Sequence, residues 1–491
     1  MIEVRNYVGG AWVTSQGDEF HSFNPTDGST LSRARVTTAN EVGRAVAAAK
    51  AAFERADWRE SSGGERATAL LKLADALARI RNEAADLIAR EMGKPLRISL
   101  AREVDGAVDK LRFFAGCARL LDGHVTAATK PELLDMTLPE PIGVCGLIIP
   151  WNDPIDLAIR KIGAALAAGC TAVVKSSEVT PASTAILFEA IHQANCLPPG
   201  VLNLIHGPGD PTGEALVTHP DVAKISFTGS TATGMRIMSQ AAKRLARVSL
   251  KCGGKLPALV FNDADLERCL DALTYGAFMY TGQSCTAATR AIVERSVYAR
   301  VLEGLVARSR ELKVGNPLDP DVFVGPMASR AQFDRVAAYI DLGLAEGAHA
   351  VIGGRADPRS LFIEPTILTG DLAGSRIARE EVFGPVLLVQ PFDTEAQALA
   401  IANSTPYGLG GSVWTTNINR ALRVVRKLDV ADVWVNTHYV RNSETSYGGR
   451  HASGIGRELG MAGVEEYISW KRVCIDTRDS YHLKAWFEQR T

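Results

Sequence analysis

Residues 142–175 read IGVCGLIIPWNDPIDLAIRKIGAALAAGCTAVVK. Two short, almost continuously apolar runs, 142–149 and 171–175, flank an alanine-rich segment of helical composition. Strands without polar alternation fit a sheet covered on both faces. Strand, helix, strand in that order implies parallel pairing. The pattern recurs downstream. Strands are expected at 142–149, 171–175, 201–205, 224–228 and 247–250, with helices between them at about 154–168, 181–195, 211–218 and 231–244. A second alternating series begins near Pro257 and reaches about Asn436. Its strands are expected near 257–261, 290–294, 348–352, 386–391, 410–415 and 431–435. The sequence therefore predicts an α/β protein with two parallel-sheet units, and 491 residues are too many for one ordinary core.

Outward from this centre the signals are more local. Residues 1–36 carry short alternating stretches and glycine turns that predict hairpins. An alanine-rich helix is expected at about 38–55. From Glu65, apolar Leu70, Leu73, Ala74, Leu77, Ile80, Ala84, Leu87 and Ile88 recur at helical spacing, and Gly93-Lys94-Pro95 ends that helix. A further helix is expected at about 97–121. Residues 125–140 carry extended signals. The tail after Ser469 is charged and aromatic, and predicts an arm rather than a core element. There is no internal repeat and no low-complexity linker.

Composition narrows the class. With 46% hydrophobic and 22% charged residues and a net charge of −1, nothing favours nucleic acid or an anionic membrane. No apolar run approaches the ~18 residues of a membrane span. The N-terminal residues lack a basic stretch followed by an apolar one, so no secretory signal is expected. The eight cysteines form no C-x-x-C pair and the nine histidines do not cluster with them, which predicts neither a metal site nor a disulfide framework. A reduced, cytoplasmic enzyme without metal is the simplest class.

The candidate chemistry centres on residues 281–290, TGQSCTAATR. Cys285 sits in a small polar turn between the end of an apolar helix and a short strand. A thiolate attacks carbonyl carbon well. Read alone, Cys285 is equally a buried small hydrophobe. Two glycine turns after strands, IHGPGDPTG at 205–213 and ISFTGSTATG at 225–234, are candidate pyrophosphate cradles on helix N-termini. The first misses the G-x-G-x-x-G spacing by one residue. Lys175 and Glu178 follow a third strand end, where a lysine and a carboxylate suit ribose hydroxyls, or simply a solvated pair.

Together these stretches resemble the aldehyde dehydrogenase superfamily over nearly the whole chain. The matches come in family order: PWNDP at 150–154, VVKSSEVTP at 173–181, FTGS at 227–230, CGGK at 252–255, GQSC at 282–285, VGNPLDP at 314–320, EEVFGPV at 380–386, YGL at 407–409, VWVN at 433–436, YGG at 447–449 and SGIGRELG at 453–460. The resemblance implies a Rossmann-like cofactor domain (1–122 and 142–253), an α/β catalytic domain (254–468), and a small β oligomerisation element with a C-terminal arm (123–141 and 469–491). It implies Cys285 as nucleophile and Asn152 as oxyanion donor with the Cys285 backbone. For NAD it implies Lys175 and Glu178 at the adenosine ribose and Ser230 at the pyrophosphate, with Trp151, Gly209 and Gly229 near the cofactor. Glu381 is implied at the nicotinamide ribose and Phe383 beside the nicotinamide. Glu178 favours NAD over NADP, since a 2′-phosphate would meet a carboxylate. The expected partners are a small-molecule aldehyde and further copies of the chain in a homodimer or homotetramer, with no nucleic acid and no membrane.

One departure stands out. The family pattern has a glutamate general base before the glycine pair, and here that position is Lys251. An ordinary lysine is charged at pH 7 and accepts no proton. Three readings follow: hydrolysis with Glu458 as the base, Lys251 being paired to it or neutral; deacylation by a thiol such as coenzyme A; or a catalytically impaired nucleotide-binding scaffold. A cationic Lys251 would also depress the Cys285 pKa. By the same resemblance Asp153, Asp156, Leu157 and Arg160 line the substrate tunnel, with Arg441 and Tyr447 opposite and Ser284 and Thr286 beside the nucleophile. This set fits a polar or carboxylate-bearing aldehyde anchored by arginine. It fits equally well charges that only pair with one another.

Overall fold

The computed structural model describes residues 1–127 and 132–477. Its larger sheet has eight strands. Five are parallel, in the order Arg247–Lys251, Val222–Thr228, Val144–Ile148, Thr171–Lys175 and Leu202–Ile205. Antiparallel additions close both edges: Gly454–Ile455 on one side, then Asn6–Val8 and Ala11–Val13 on the other. The parallel series starts at the central strand Val144–Ile148, winds to one side, and returns to fill the other. That reversal opens a crevice above the carboxyl ends of Val144–Ile148 and Val222–Thr228, where doubly wound sheets bind ligands.

The second sheet has seven strands, ordered His349–Ile352, Thr366–Thr369, Val386–Phe392, Ala288–Glu294, Leu256–Val260, Gly410–Trp414 and Asp432–Val435. All neighbours pair in parallel except the first two. A third sheet pairs Ile468–Asp476 with Leu133–Pro141 in a nine-residue antiparallel register, flanked by His124–Thr126. The extended stretch and the start of the tail thus become one sheet, while the tail beyond 477 lies outside the described residues.

Some elements differ from the sequence reading. The periodic segment 65–88 is two helices, Gly63–Arg79 and Arg81–Met92, broken at Ile80, whose ψ of 14° leaves the helical range. The apolar periodicity passes through the break because both helices bury the same face in one core. The expected helix 97–121 opens with the wide turn Ser99–Val104 before Asp105–Ala118. The expected helix 211–218 shrinks to Glu214–Thr218, because Asp210 is extended inside the preceding turn.

Helix Asp156–Ala168 is buried at every position, Asp156, Arg160 and Lys161 included. Charges on a fully buried helix must be paired inside the protein. Those pairings build much of the site.

Candidate active site

Strand Arg247–Lys251 runs through Cys252, Gly253, Gly254 and Lys255 straight into strand Leu256–Val260. The carboxyl edge of the first sheet therefore faces the amino edge of the second. Cys285, just before strand Ala288–Glu294, sits on that amino edge. Asn152 and Lys251 reach it from the carboxyl ends opposite.

The loop that presents Cys285 is wound left-handed. Tyr280, Thr281 and Gly282 have φ of 58°, 57° and 66°. The two non-glycine residues each cost roughly 1–3 kcal/mol in that region, so their surroundings must enforce it. Thr281 Oγ1 donates to the Gly325 carbonyl at 3.0 Å, and the Ala328 N–H donates to Gln283 Oε1 at 3.0 Å. The Lys94 ammonium lies 4.0 Å from the centre of the Tyr280 ring. Gly282 is obligatory, since a Cβ there would stand 2.1 Å from the Gly384 carbonyl oxygen. Asn152 Nδ2 donates to the Gln283 carbonyl at 3.2 Å, which fixes this amide beside the nucleophile.

Lys251 Nζ donates to Cys285 Sγ at 3.0 Å. The Tyr447 hydroxyl lies 4.0 Å from the same sulfur. Burial pushes the Cys285 thiol up, but Lys251 and Arg441 outweigh it and hold the thiol below its ordinary value. The lysine just ahead of Cys252 and the Gly253-Gly254 pair thus favours the thiolate form of Cys285.

Lys251 does not pair with Glu458. That carboxylate is bound by Lys161, with Arg160 Nη1 3.9 Å from its other oxygen. Burial raises the Glu458 carboxyl, and Lys161, Lys251 and Arg160 more than compensate, leaving it below the usual carboxylate range. Oε2 of Glu458 is buried without a hydrogen-bond partner.

Asp153, Asp156 and Arg160 form buried pairs. Lys94 donates to Asp153 and Glu103 at 2.5 and 2.6 Å. Arg160 Nη2 contacts Asp156 at 2.5 Å, with Lys110 2.8 Å from its second oxygen. Ser284 hydrogen-bonds Tyr439 and lies 3.3 Å from Thr286. Arg441 Nη2 donates to Thr286 Oγ1, and to the Tyr447 hydroxyl at 3.4 Å.

A cavity of about 150 Å³ opens beside Cys285 and is also lined by Trp151, Asn152, Leu157, Gly229, Ser230, Lys251, Glu381 and Phe383. Trp151 and Phe383 meet edge to face at 5.4 Å. Phe383 has a left-handed φ of 61°, and Gln332 Nε2 holds its carbonyl at 2.8 Å. Glu381 accepts from the Gly254 N–H at 3.0 Å, and burial raises its carboxyl above the ordinary range. A Cβ on Gly253 would fall 2.0 Å from Glu381 Oε2. Ser230 caps helix Thr231–Ala242, whose first N–H groups point to this side. A second cleft of about 170 Å³ contains Lys175, Gly209, Gly213, Phe227 and Ile237. Glu178 lies 3.6 Å from Lys175. Two adjoining clefts joined by a capped helix N-terminus, one with an aromatic pair and one with an apolar wall beside a lysine, fit a dinucleotide.

A model of the aldehyde dehydrogenase family matches residues 12–473. The chain belongs to the aldehyde dehydrogenase family. Among relatives, it is 40% identical over 460 residues to an aldehyde dehydrogenase of Emericella nidulans, covering 93% of this chain and 92% of that one. It is 38% identical over 483 residues to a betaine aldehyde dehydrogenase of Bacillus subtilis, covering 96% and 97%. A crystal structure of a Staphylococcus aureus betaine aldehyde dehydrogenase point mutant, with NAD+ and a BME-modified cysteine, superposes with a TM-score of 0.96 at 35% identity and full coverage of both chains. The NAD+ complex of the Bacillus cereus aldehyde dehydrogenase gives 0.95 at 37% identity over 97% of each. In this family member the resemblance read from the motifs holds across the fold.

Several residues of the site carry no sequence signal. Lys161, Lys94, Glu103, Tyr439, Gln332 and Arg335, whose guanidinium donates to the Glu381 carbonyl at 2.8 Å, lie outside the motifs or far from their partners along the chain. A lysine on an all-buried helix, such as Lys161, was the available hint that a carboxylate must meet it. Among the described residues no group of three or more His, Cys, Asp or Glu is arranged to hold a metal, and no helix is long and apolar enough to cross a membrane.

Proposed function

We propose that this family member oxidises an aldehyde to the carboxylic acid with NAD, through an acyl group carried on Cys285. The observation that carries the reading is Cys285 Sγ, held 3.0 Å from Lys251 Nζ in the wall of the cavity that Trp151, Ser230, Glu381 and Phe383 also line. Sγ adds to the carbonyl carbon as thiolate, a form that Lys251 and Arg441 stabilise. The Asn152 amide and the Cys285 N–H meet the developing oxyanion; such donors contribute roughly 3–4 kcal/mol when aimed at developing charge. Lys175 and Glu178 hold the adenosine ribose, Ser230 and the helix end behind it the pyrophosphate, and Glu381 the second ribose. When bound, the nicotinamide accepts the hydride that leaves the aldehyde carbon. Glu178 already engages Lys175 and presents a carboxylate to any 2′-phosphate, which supports NAD over NADP.

Water then cleaves the thioester. Glu458 is the base we assign, through Oε2, which accepts no hydrogen bond and has only the Arg160 guanidinium at 3.9 Å. Lys161, Lys251 and Arg160 hold its carboxyl below the usual range, so it is ionised and free to accept a proton at neutral pH. Lys251 at the usual base position supports a second reading, in which a thiol such as coenzyme A takes the acyl group. NADH formation by the purified protein against an aldehyde panel, with and without coenzyme A, separates the two. Steady turnover without coenzyme A supports hydrolysis. One equivalent of NADH per subunit, continued only by coenzyme A, supports the thiol acceptor, and no NADH at all refutes both.

The third sheet exposes Val125, Leu134, Leu138 and Ile475 on one face, an apolar face that supports assembly into homodimers or homotetramers. All eight cysteines are free, which suits the cytoplasm as the proposed compartment.

A further inference from the structure

We infer that the aldehyde carries an anionic group, a carboxylate, which Arg441 binds beside Cys285. This rests on the oxidation reading above and names its substrate class. Most cations about the nucleophile are spent on a carboxylate and two are not, although the buried Asp432 carboxyl lies within electrostatic range of those two. Lys94, Lys110, Arg160 and Lys161 each meet a carboxylate: Asp153 with Glu103, Asp156, Asp156, and Glu458 in turn. Lys251 and Arg441 form no ion pair with a carboxylate among the described residues; their polar partners are Cys285 Sγ for the one, Thr286 and Tyr447 hydroxyls for the other.

Arg441 is pre-organised to receive an anion. Its guanidinium stacks over the rings of Tyr447 and Tyr439, 4.5 and 5.4 Å from their centres, and its Nε is buried without a hydrogen-bond partner. A buried donor left unmatched is costly, and a carboxylate satisfies the planar guanidinium fork. The Tyr447 hydroxyl touches both Arg441 and the sulfur. The anion site is therefore only two contacts from the reacting carbon, which points to a short oxo acid. Acylation sharpens the preference. Once Sγ is a thioester it no longer carries the charge that answers Lys251, and both cations face the acyl group.

The opposite charge class fits poorly. A quaternary ammonium is held by open aromatic faces. Here the Tyr447 ring is already occupied by Lys251 at 4.6 Å and by Arg441, and Tyr439 by Arg441.

The test measures kcat/KM with NAD for linear oxo acids of two to five carbons, each paired with its methyl ester, and for trimethylammonioacetaldehyde. The expected acid-to-ester ratio is roughly 10- to 100-fold for the best length, from a charge-assisted pair, with the ammonium aldehyde below the esters. In Arg441→Met the ratio collapses toward one, and in Arg441→Lys part of it survives. A companion assay needs no turnover: succinate slows alkylation of Cys285 by iodoacetamide in the wild-type protein, and dimethyl succinate does not. Acids and esters oxidised equally, or an ammonium aldehyde preferred, overturns the inference while leaving aldehyde oxidation standing. If no aldehyde yields NADH, the oxidation reading fails. Protection by succinate then still supports the anion site, and its absence overturns that too.

Discussion

Replacing Lys251 by methionine removes the ammonium 3.0 Å from Cys285 Sγ while keeping most of its apolar stem. A hydrogen bond to an ionised group contributes roughly 1.5–3 kcal/mol. One pKa unit is about 1.36 kcal/mol, so the thiol rises by about one to two units. Below both midpoints the thiolate fraction falls by about 10- to 100-fold. Thiolate reactivity grows with basicity, with a coefficient of about 0.4–0.5 in disulfide exchange, and that returns nearly half of the loss on a logarithmic scale. The net expectation is a rate roughly 4- to 15-fold lower at neutral pH. Above the variant's midpoint the sign reverses, because both proteins are then fully thiolate and the more basic one reacts faster. The assay is exchange of Cys285 with a neutral pyridyl disulfide from pH 6 to 10, in a Cys474→Ser background because Cys474 is exposed, with the labelled peptide identified by mass. Superimposable profiles, or a variant faster at neutral pH, would refute the claim that Lys251 activates the thiol.

Other consequences follow from the same geometry. Glu458→Gln leaves Lys161, buried on an all-buried helix, without its carboxylate; a drop in stability of roughly 3–5 kcal/mol is expected, and in the folded fraction one equivalent of NADH should still form while steady turnover falls. Gly253→Ala puts a Cβ 2.0 Å from Glu381 Oε2, so the carboxylate must leave the Gly254 N–H, and the Kd for NAD, read by fluorescence quenching, should rise about 10-fold, the worth of one charge-assisted hydrogen bond. Burial holds His206 down to about 3 and His438 to about 4, against about 6.5 in an unfolded chain. The unfolded state therefore binds more protons below pH 6.5. The stabilisation is fully present above that pH and is lost as pH falls toward 4, by roughly 2 kcal/mol per histidine between pH 7 and 5. Urea midpoints should fall accordingly, and His206→Gln should flatten the slope.

The motifs located the pieces of the site but misjudged some of their partners. Trp151, Asn152, Gly229, Ser230, Lys251, Glu381 and Phe383 were legible because each follows a strand end or sits in a family stretch, and strand ends converge on one edge of a parallel sheet. Lys251 facing Cys285 was foreseen only as one option beside pairing with Glu458. The expected break-free helix 65–88 failed for a related reason: periodicity reports which face is buried, not where the backbone turns.

Periodic burial along the chain determined two parallel α/β sheets, since apolar strands alternating with amphipathic helices have few other ways to leave water. Residue type marked Cys285 and the glycine turns as candidates only, and the resemblance carried by the motifs gave them the roles of nucleophile and dinucleotide cradle. Only the tertiary structure decided which charges cancel. Lys94, Arg160 and Lys161 spend theirs on Asp153, Asp156 and Glu458, whereas Lys251 and Arg441 are left for the sulfur and for whatever binds beside it. Electrostatic pairing depends on distances of a few ångströms between residues remote in sequence, and those distances exist only once the two sheets face each other.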